Sequence, residues 1–424
     1  MYTDDPLSPN SLSAIPQLEE RDLLLVLQSF LHHQKGKYRA QRQPWLSNGD
    51  FARLSWQQYG CPPEESTAAY AAFCAMFGVK LSPHAFHASF EEIAAEAYEL
   101  WKLQGRNITF HTSGSTGVPK ACIHNENFLR QEMADFLPLL TRLTPRKRAL
   151  ITVPLHHLFG FSFGLLLPKT LGLPFCVEAP LPTAIAHQMR PHDLVVGIPM
   201  LWAKLAELRH LSCTDCLLLS STAPLPDAIF DKLCGSGFQC LEIFGSSETG
   251  AMGFRCQGHT PFSLFPRFTT IMNMGTRLMQ CKLPGGMLYS MSFQDEHIWH
   301  DDRHFTPQGR KDHAVQVGGV NVYPAHVEKV LAAHPCVQAC TVRLMRPDEG
   351  QRLKAFVVPV DGYSPQEIRK QLRAFVREHL SEEECPATFT LGSKLPRNSM
   401  GKLTDWRQED KDEQKTWKKN NILD

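Results

Sequence analysis

Residues 107–120 read Asn-Ile-Thr-Phe-His-Thr-Ser-Gly-Ser-Thr-Gly-Val-Pro-Lys. The opening NITFH is a short β-favouring run, and the stretch from Thr112 to Lys120 that follows it is a Ser/Thr/Gly-rich turn. Glycine lets backbone amides approach an anion closely, hydroxyls add donors and a lysine adds charge, so the stretch reads as a phosphate cradle. A plain solvated turn has the same composition, and segments elsewhere must decide between the two. It is not a Walker A loop, because Lys120 lies between Pro119 and Ala121 and the spacing G-x-x-x-x-G-K-[ST] is absent.

Working outward, ITF is followed by ALITV, DLVVGIP and CLLLSS, each β-favouring and separated by helix-compatible segments. That rhythm predicts an α/β fold, with mostly parallel sheet covered by helices and with chemistry on loops at the strand ends. Upstream, LEERDLLLVLQSFLHHQ (18–34) and STAAYAAFCAMFG have helical character, so residues 1–106 are expected to be mainly helical. Past Arg310 the texture changes to paired glycines, a helix near Pro324 and the β runs ACTVRL and KAFVVPV. We therefore expect a large N-terminal domain over 1–309 and a small α+β domain over 310–424, ending in a charged tail, DWRQEDKDEQKTWKKNNILD, that is exposed or frayed.

Across 424 residues, 44 Lys and Arg stand against 43 Asp and Glu, a balance with no electrostatic footprint for nucleic acid or an anionic membrane. The 13 cysteines lack disulfide-framework spacing, and the acidic opening MYTDDPLSPN has no signal-peptide pattern, so a cytoplasmic location is expected. The apolar stretch 149–167 is interrupted by Pro154, His156, His157, Gly160 and Gly164, which predicts buried core and no membrane span.

TSGSTGVPK resembles the phosphate loop of the adenylate-forming superfamily, which includes acyl-CoA and aryl-CoA synthetases, peptide-synthetase adenylation domains and luciferases. Further segments resembling that family follow in its order. Pro154-Leu155-His156-His157-Leu158-Phe159-Gly160 is similar to the segment lining the acid pocket, which would make His157 and Phe159 pocket residues. Ser220 to Leu225 is similar to the turn beside the adenine, with Thr222 and Ala223 at its centre. Phe244-Gly245-Ser246-Ser247-Glu248-Thr249 resembles the aromatic-Gly-x-Thr-Glu element. There Phe244 and Gly245 would meet adenine, Ser247 the α-phosphate and Glu248 magnesium; Phe244 replaces the usual tyrosine and Ser247 the usual threonine. Gly309 to Pro324 resembles the interdomain junction, with Arg310 on the ribose and Asp312 as hinge. Leu395 to Leu403 resembles the Pro-x-x-x-x-Gly-Lys motif, which makes Lys402 the catalytic candidate. A carboxylate attacking the α-phosphorus brings two anions together, and an ammonium touching both lowers that barrier.

The resemblance implies ATP, Mg2+ and a small-molecule carboxylate, then transfer of the acyl group to coenzyme A or to phosphopantetheine on an acyl carrier protein. Thr112, Ser113, Gly114, Ser115, Thr116, Gly117 and Lys120 would orient the β- and γ-phosphates. Aromatic residues near His157 point to an aryl or acyl acid. Two departures stand out: the region ahead of the loop is shorter than is usual, and the ribose aspartate normally found in Thr-Gly-Asp is replaced by His300-Asp301-Asp302-Arg303 close to Arg310. Asp302 is the expected match, Asp301 its alternative, with the intervening hairpin shortened.

Competing signals are weaker. Gly160-Phe161-Ser162-Phe163-Gly164 matches G-x-S-x-G and would make Ser162 a hydrolase nucleophile, but no oxyanion loop precedes it and its apolar flanks suit a buried helix. Cys213-Thr-Asp-Cys216 is a lone pair without a second, and Cys336 with Cys340 fits one helical turn. A non-catalytic nucleotide-binding relative is disfavoured by the joint presence of Lys120, Glu248, Arg310 and Lys402.

Overall fold

The computed structural model describes residues 10–32, 45–82, 85, 87–112, 120–140, 143, 145–208, 215–273, 276–283, 285–291, 293, 295–346, 348–360, 362–397 and 403–406. Ser113, Gly114, Ser115, Thr116, Gly117, Cys213, Lys402 and the charged tail beyond Trp406 lie outside them. The described residues fall into two compact units, one within 10–112 and 120–308, the other from Gly309 onward.

In the first unit, strands β1 (Asn107–Thr112) and β2 (Lys120–Asn125) form an antiparallel hairpin whose register sets Thr112 opposite Lys120. A nine-stranded sheet is built from β3 (Arg148–Ile151), β4 (Phe175–Val177), β5 (Asp193–Gly197), β6 (Leu217–Ser220), β7 (Gln239–Ser246), β8 (Gly250–Arg255) and β9 (Phe262–Leu264), joined after a smaller sheet by two more strands. That smaller sheet is the antiparallel set β10 (Phe268–Asn273), β11 (Thr276–Lys282) and β12 (Leu288–Met291). The last two members of the large sheet are β13 (Asp295–Trp299) and β14 (His304–Arg310), and its order is β13-β14-β9-β8-β7-β6-β5-β3-β4.

The expected parallel arrangement holds from β4 to β7, where each neighbouring pair is parallel. From β7 the sheet continues antiparallel through β8, β9 and β14, so the whole is mixed. The parallel strands read as unbroken apolar runs because both faces are covered. Ile151, Val196, Leu219 and Ile243 pack into one core, while Leu150, Val195, Leu218 and Cys240 pack into another on the opposite face. Trp202, Phe230 and Leu233, from the helices Pro199–Ala206 and Asp227–Gly235, close the second core.

The first core takes in the N-terminal helices, chiefly Glu20–His32, Pro63–Phe77 and Phe90–Leu103. The last begins with a capping box in which Ser89 and Glu92 satisfy each other's backbone N–H groups. Buried ionic and polar ties hold this helical layer to the helix Glu126–Leu140. The Arg130 guanidinium donates to the Ile15 and Leu12 carbonyls, at 3.0 Å from Nε to Ile15 and 2.8 Å to Leu12, and Glu126 Oε1 accepts from the Leu18 N–H at 2.5 Å. No helix among the described residues is long and apolar enough to cross a membrane.

The second unit holds the hairpin β15 (Val315–Val317) and β16 (Val320–Val322), and a three-stranded sheet of β17 (Val337–Leu344), β18 (Leu353–Pro359) and β19 (Thr388–Leu391). β17 and β18 are antiparallel, β18 and β19 parallel. The helices Pro324–Ala332 and Pro365–His379 cover it, burying Val327, Leu331, Ile368, Leu372 and Val376 with Leu353, Ala355 and Val357.

Candidate active site

Because β3, β6 and β7 run parallel, the segments that follow them leave the same edge of the sheet. These are the loop from Pro154, the turn from Ser221 and the turn from Ser247. Ligand sites of open α/β sheets gather at that edge, outside the carboxyl ends of the strands.

The turn between β7 and β8 is tightly determined. Gly245 sits at a bulge, and a Cβ there would lie 2.1 Å from the Gly250 carbonyl oxygen, so no other residue allows the two strands to close so sharply. Thr249 and Ser246 lock the turn, with the Ser246 N–H donating to Thr249 Oγ1 at 3.0 Å and the Thr249 N–H to the Ser246 carbonyl at 3.2 Å. From this turn Glu248 reaches Lys120 at the start of β2, Nζ to Oε1 2.7 Å. The carboxylate is partly buried, which pushes its pKa up, but the Lys120 hydrogen bond and charge, its own backbone N–H and the Ser246 hydroxyl together outweigh that, and the net shift is below the ordinary value. Glu248 is therefore an anion at neutral pH, the state a hard cation requires.

Two residues along β2, Cys122 and His124 follow Lys120 on its face. Burial, then the charge of Glu248, raises the Cys122 thiol to about 11, so it is no nucleophile at neutral pH. His124 is buried, and its Nε2 lies 2.6 Å from the Ser247 carbonyl oxygen. A carbonyl only accepts, so Nε2 carries the proton, and burial pushes the imidazole below its ordinary range, keeping it neutral.

Beside the turn is a cavity lined by Phe244, Gly245, Ser246, Thr249, Met252, Phe293, Asp295 and His297. Phe244 packs among Phe262, Phe305 and His297, with ring centroids 5.5, 5.3 and 5.5 Å away. Asp295 and His297 point the same way because they are two apart on β13.

Asp302 does not reach this cavity. It occupies the turn at the far end of β13, its side chain is 88% exposed, and it pairs with Arg277 at 3.2 Å. Asp301 is committed to the same turn, accepting from the Arg303 and His304 N–H groups at 2.7 Å each, which holds its carboxyl down at about 2. β13 and β14 are neighbours in the sheet, and the carboxylate beside Phe244 and Ser246 is Asp295, at the start of β13, which the sequence reading passed over. Its place in the triplet His300-Asp301-Asp302 favoured Asp302, yet a strand carries its two ends far apart.

Thr222 and Ala223 follow β6 beside β7, where Ser221 Oγ donates to the Ile243 carbonyl at 2.9 Å. Thr222 has φ +78°, a left-handed conformation unusual for a β-branched residue, and its Oγ1 is buried without a hydrogen-bond partner among the described residues. After β3, His157 is exposed and lies 4.7 Å, ring to ring, from His156, which stacks on Phe30 at 4.3 Å. Phe159 packs on Phe163 at 5.5 Å. Ser162 is 1% exposed within the π-helix Gly160–Leu166 and its Oγ has no hydrogen-bond partner among the described residues, so it lacks both the access and the base that a hydrolase nucleophile needs.

In the second unit, Arg310 binds Asp312 through two hydrogen bonds, 2.8 and 2.7 Å, and Tyr323 Oη donates to Asp312 Oδ2 at 3.0 Å. The Arg310 contact holds Asp312 at about 2. Of the last motif, Arg397 and Leu403 form an antiparallel bridge and the Thr404 N–H donates to the Pro396 carbonyl at 2.9 Å. The described cysteines are free thiols.

Comparison with known proteins matches this geometry to one family. Residues 106–280 match the model for AMP-binding enzymes and residues 326–402 the model for the AMP-binding enzyme C-terminal domain. A 4-coumarate–CoA ligase of Halorhodospira halophila is 36% identical over 298 residues, spanning 70% of this chain and 74% of the relative. The chain belongs to the AMP-binding enzymes.

A benzoate–CoA ligase of Thauera aromatica is 25% identical to this AMP-binding enzyme over 341 residues, 69% of the chain and 63% of the relative. Among solved structures, an o-succinylbenzoate CoA synthetase from Bacillus subtilis superposes with a TM-score of 0.57 at 20% identity, covering 70% of this chain and 67% of that one. An amide bond synthetase from Marinactinospora thermotolerans gives 0.58 at 18% identity over 96% and 98% of the two chains. At these identities the structural likeness establishes the adenylate-forming fold.

Proposed function

We propose that this AMP-binding enzyme is an acid–thiol ligase that activates an aryl carboxylate with ATP and passes the acyl group to coenzyme A. In the first step a carboxylate oxygen bonds to the α-phosphorus while the bond to the bridging oxygen breaks and pyrophosphate leaves. In the second, a thiol sulfur bonds to the acyl carbon, its proton passes to solvent, and AMP leaves with the electron pair of the anhydride bond.

The observation that carries this reading is the contact of Lys120 with Glu248 beside the Phe244 cavity. A cation and an anion held 2.7 Å apart at a strand-end turn fit the two halves of a metal–nucleotide complex. Lys120 would hold phosphate oxygens and Glu248 would hold Mg2+, which would supply charge neutralisation along the phosphates. Ser247 faces the α-phosphate, and the Thr112 to Lys120 loop faces the β- and γ-phosphates. Phe244, Gly245, Thr222 and Ala223 flank the adenine. Asp295, in the cavity, is a better ribose acceptor than Asp302, and Arg310 is the ribose donor that the family resemblance implies. Lys402 bridges carboxylate and nucleotide. The 4-coumarate–CoA and benzoate–CoA ligases among the relatives support an aryl acid beside His157 and Phe159 and coenzyme A as acceptor. Phosphopantetheine on a carrier protein presents the same thiol arm.

The test is acid-dependent exchange of labelled pyrophosphate into ATP, screened over hydroxycinnamates, benzoates and aliphatic acids, followed by addition of coenzyme A. Exchange with an aryl acid and release of AMP on adding coenzyme A are expected. No exchange with any acid would overturn the reading.

A further inference from the structure

Lys120, Cys122 and His124 alternate along β2, which puts the buried imidazole behind the ion pair and against the turn that carries Glu248. The Nε2–H of His124 donates to the Ser247 carbonyl at 2.6 Å, one peptide unit before Glu248. The ring stacks on Phe128 with centroids 5.0 Å apart and planes inclined by 16°, a contact that favours this orientation. Other backbone ties act at the ends of this turn: Thr249 with Ser246 across its base, and Glu132 Oε2 accepting from the Ala251 N–H at 2.6 Å. Lys120 reaches this turn at the Glu248 side chain, whereas His124 reaches its backbone and holds the peptide that joins Ser247 to Glu248.

We propose that His124 is a positioning residue for metal-dependent nucleotide binding: through the Ser247 carbonyl it fixes the peptide from which Glu248 presents its carboxylate to Mg2+ and Ser247 its hydroxyl to the α-phosphate. This rests on the roles assigned above to Ser247 and Glu248. The contact needs an N–H donor at the depth of Nε2, not an ionisable group, because the acceptor is a neutral carbonyl. Without it that carbonyl loses this donor, and the peptide turns to recover a partner, carrying Glu248 with it. An offset of about 1 Å is enough to spoil metal coordination, which tolerates only a few tenths of an ångström.

The experiment measures ATP binding by calorimetry, once with Mg2+ and once with chelator, on wild type, His124→Phe and His124→Gln. Phenylalanine keeps the ring stack on Phe128 and removes the donor, whereas the glutamine side-chain amide restores one. His124→Phe is expected to weaken binding of Mg-ATP about tenfold while leaving metal-free ATP within about twofold, and His124→Gln is expected to recover most of the loss. Equal weakening of Mg-ATP and metal-free ATP, no weakening at all, or a glutamine variant as poor as phenylalanine would overturn the inference. If wild type binds Mg-ATP and exchanges pyrophosphate while His124→Phe binds like wild type, the ligase reading stands and this one falls. Wild type that binds no Mg-ATP overturns both.

Discussion

Asp295 and Asp302 flank one strand, and the structure separates what the sequence left adjacent. Asp295 opens β13 in the cavity with Phe244 and Ser246, while Asp302 lies at the far turn with Arg277. A carboxylate accepting from a sugar hydroxyl contributes about 1.5–3 kcal/mol, roughly 10- to 150-fold in affinity, and an exposed pair such as Asp302 with Arg277 contributes little. Asp295→Asn is therefore expected to raise the KM for ATP at least about tenfold, and Asp302→Asn to leave it within about twofold, in initial-rate measurements. The opposite ranking would return the ribose to Asp302. What the sequence made legible at this scale was residue type within motif. That Lys120 and Glu248 meet across the fold was readable only through the family resemblance. Asp295 and His124 were not, since each is an ordinary residue of a short strand until its neighbours are known.

Elements carry the next constraint. The first turn of β8 is built over a buried triad in which Arg267 donates to Asp135 at 2.7 Å, to Glu132 at 3.2 Å and to the Ala251 carbonyl at 2.7 Å. Gly250, at φ +66°, packs so closely on this triad that a Cβ would come within 2.5 Å of Glu132 Oε2. Burial alone raises Asp135, so the arrangement depends on Arg267 being there to offset the two carboxylates. Arg267→Met should cost about 3–5 kcal/mol in denaturant unfolding, and adding Glu132→Gln with Asp135→Asn should recover part of it, because the loss comes from stranded charge. A cost under about 1 kcal/mol would show that the triad is not what holds β8. The sheet's two halves differed in legibility for a related reason. β5 and β6 are buried on both faces and read as apolar runs. β8 contains Gly253, whose Cβ would lie 2.9 Å from the Ser263 carbonyl, so close strand approach there requires the residue that local propensity assigns to a loop.

At the scale of the whole molecule, the proposed mechanism assigns a lysine near the end of the chain to a nucleotide held by residues far upstream. The second unit ties the end of its last motif firmly to its own sheet. Arg343 and Arg346 bind the Asp405 carboxylate at 2.5 and 2.8 Å, and the buried Lys354 donates to the Trp406 carbonyl at 2.6 Å. Leu403 bridges to Arg397, which joins the two described ends of that motif. The delivery proposed for Lys402 is a movement of the second unit. The pivot proposed for that movement, Asp312, is held by Arg310, Tyr323 and the Ala314 N–H at 3.2 Å, contacts that proline at this position would abolish along with its φ freedom. Lys402→Ala is expected to lower acid-dependent pyrophosphate exchange by about two to three orders of magnitude while thiolysis of supplied acyl-AMP stays near wild type, since only the first step joins two anions. Asp312→Pro is expected to do the reverse, slowing thiolysis more than exchange, because the second step needs the unit to turn after the lysine has acted. The two half-reactions are measured separately on each variant. Equal losses in both for either one would mean that the lysine and the hinge serve a single fixed arrangement, and the swing would have to be abandoned.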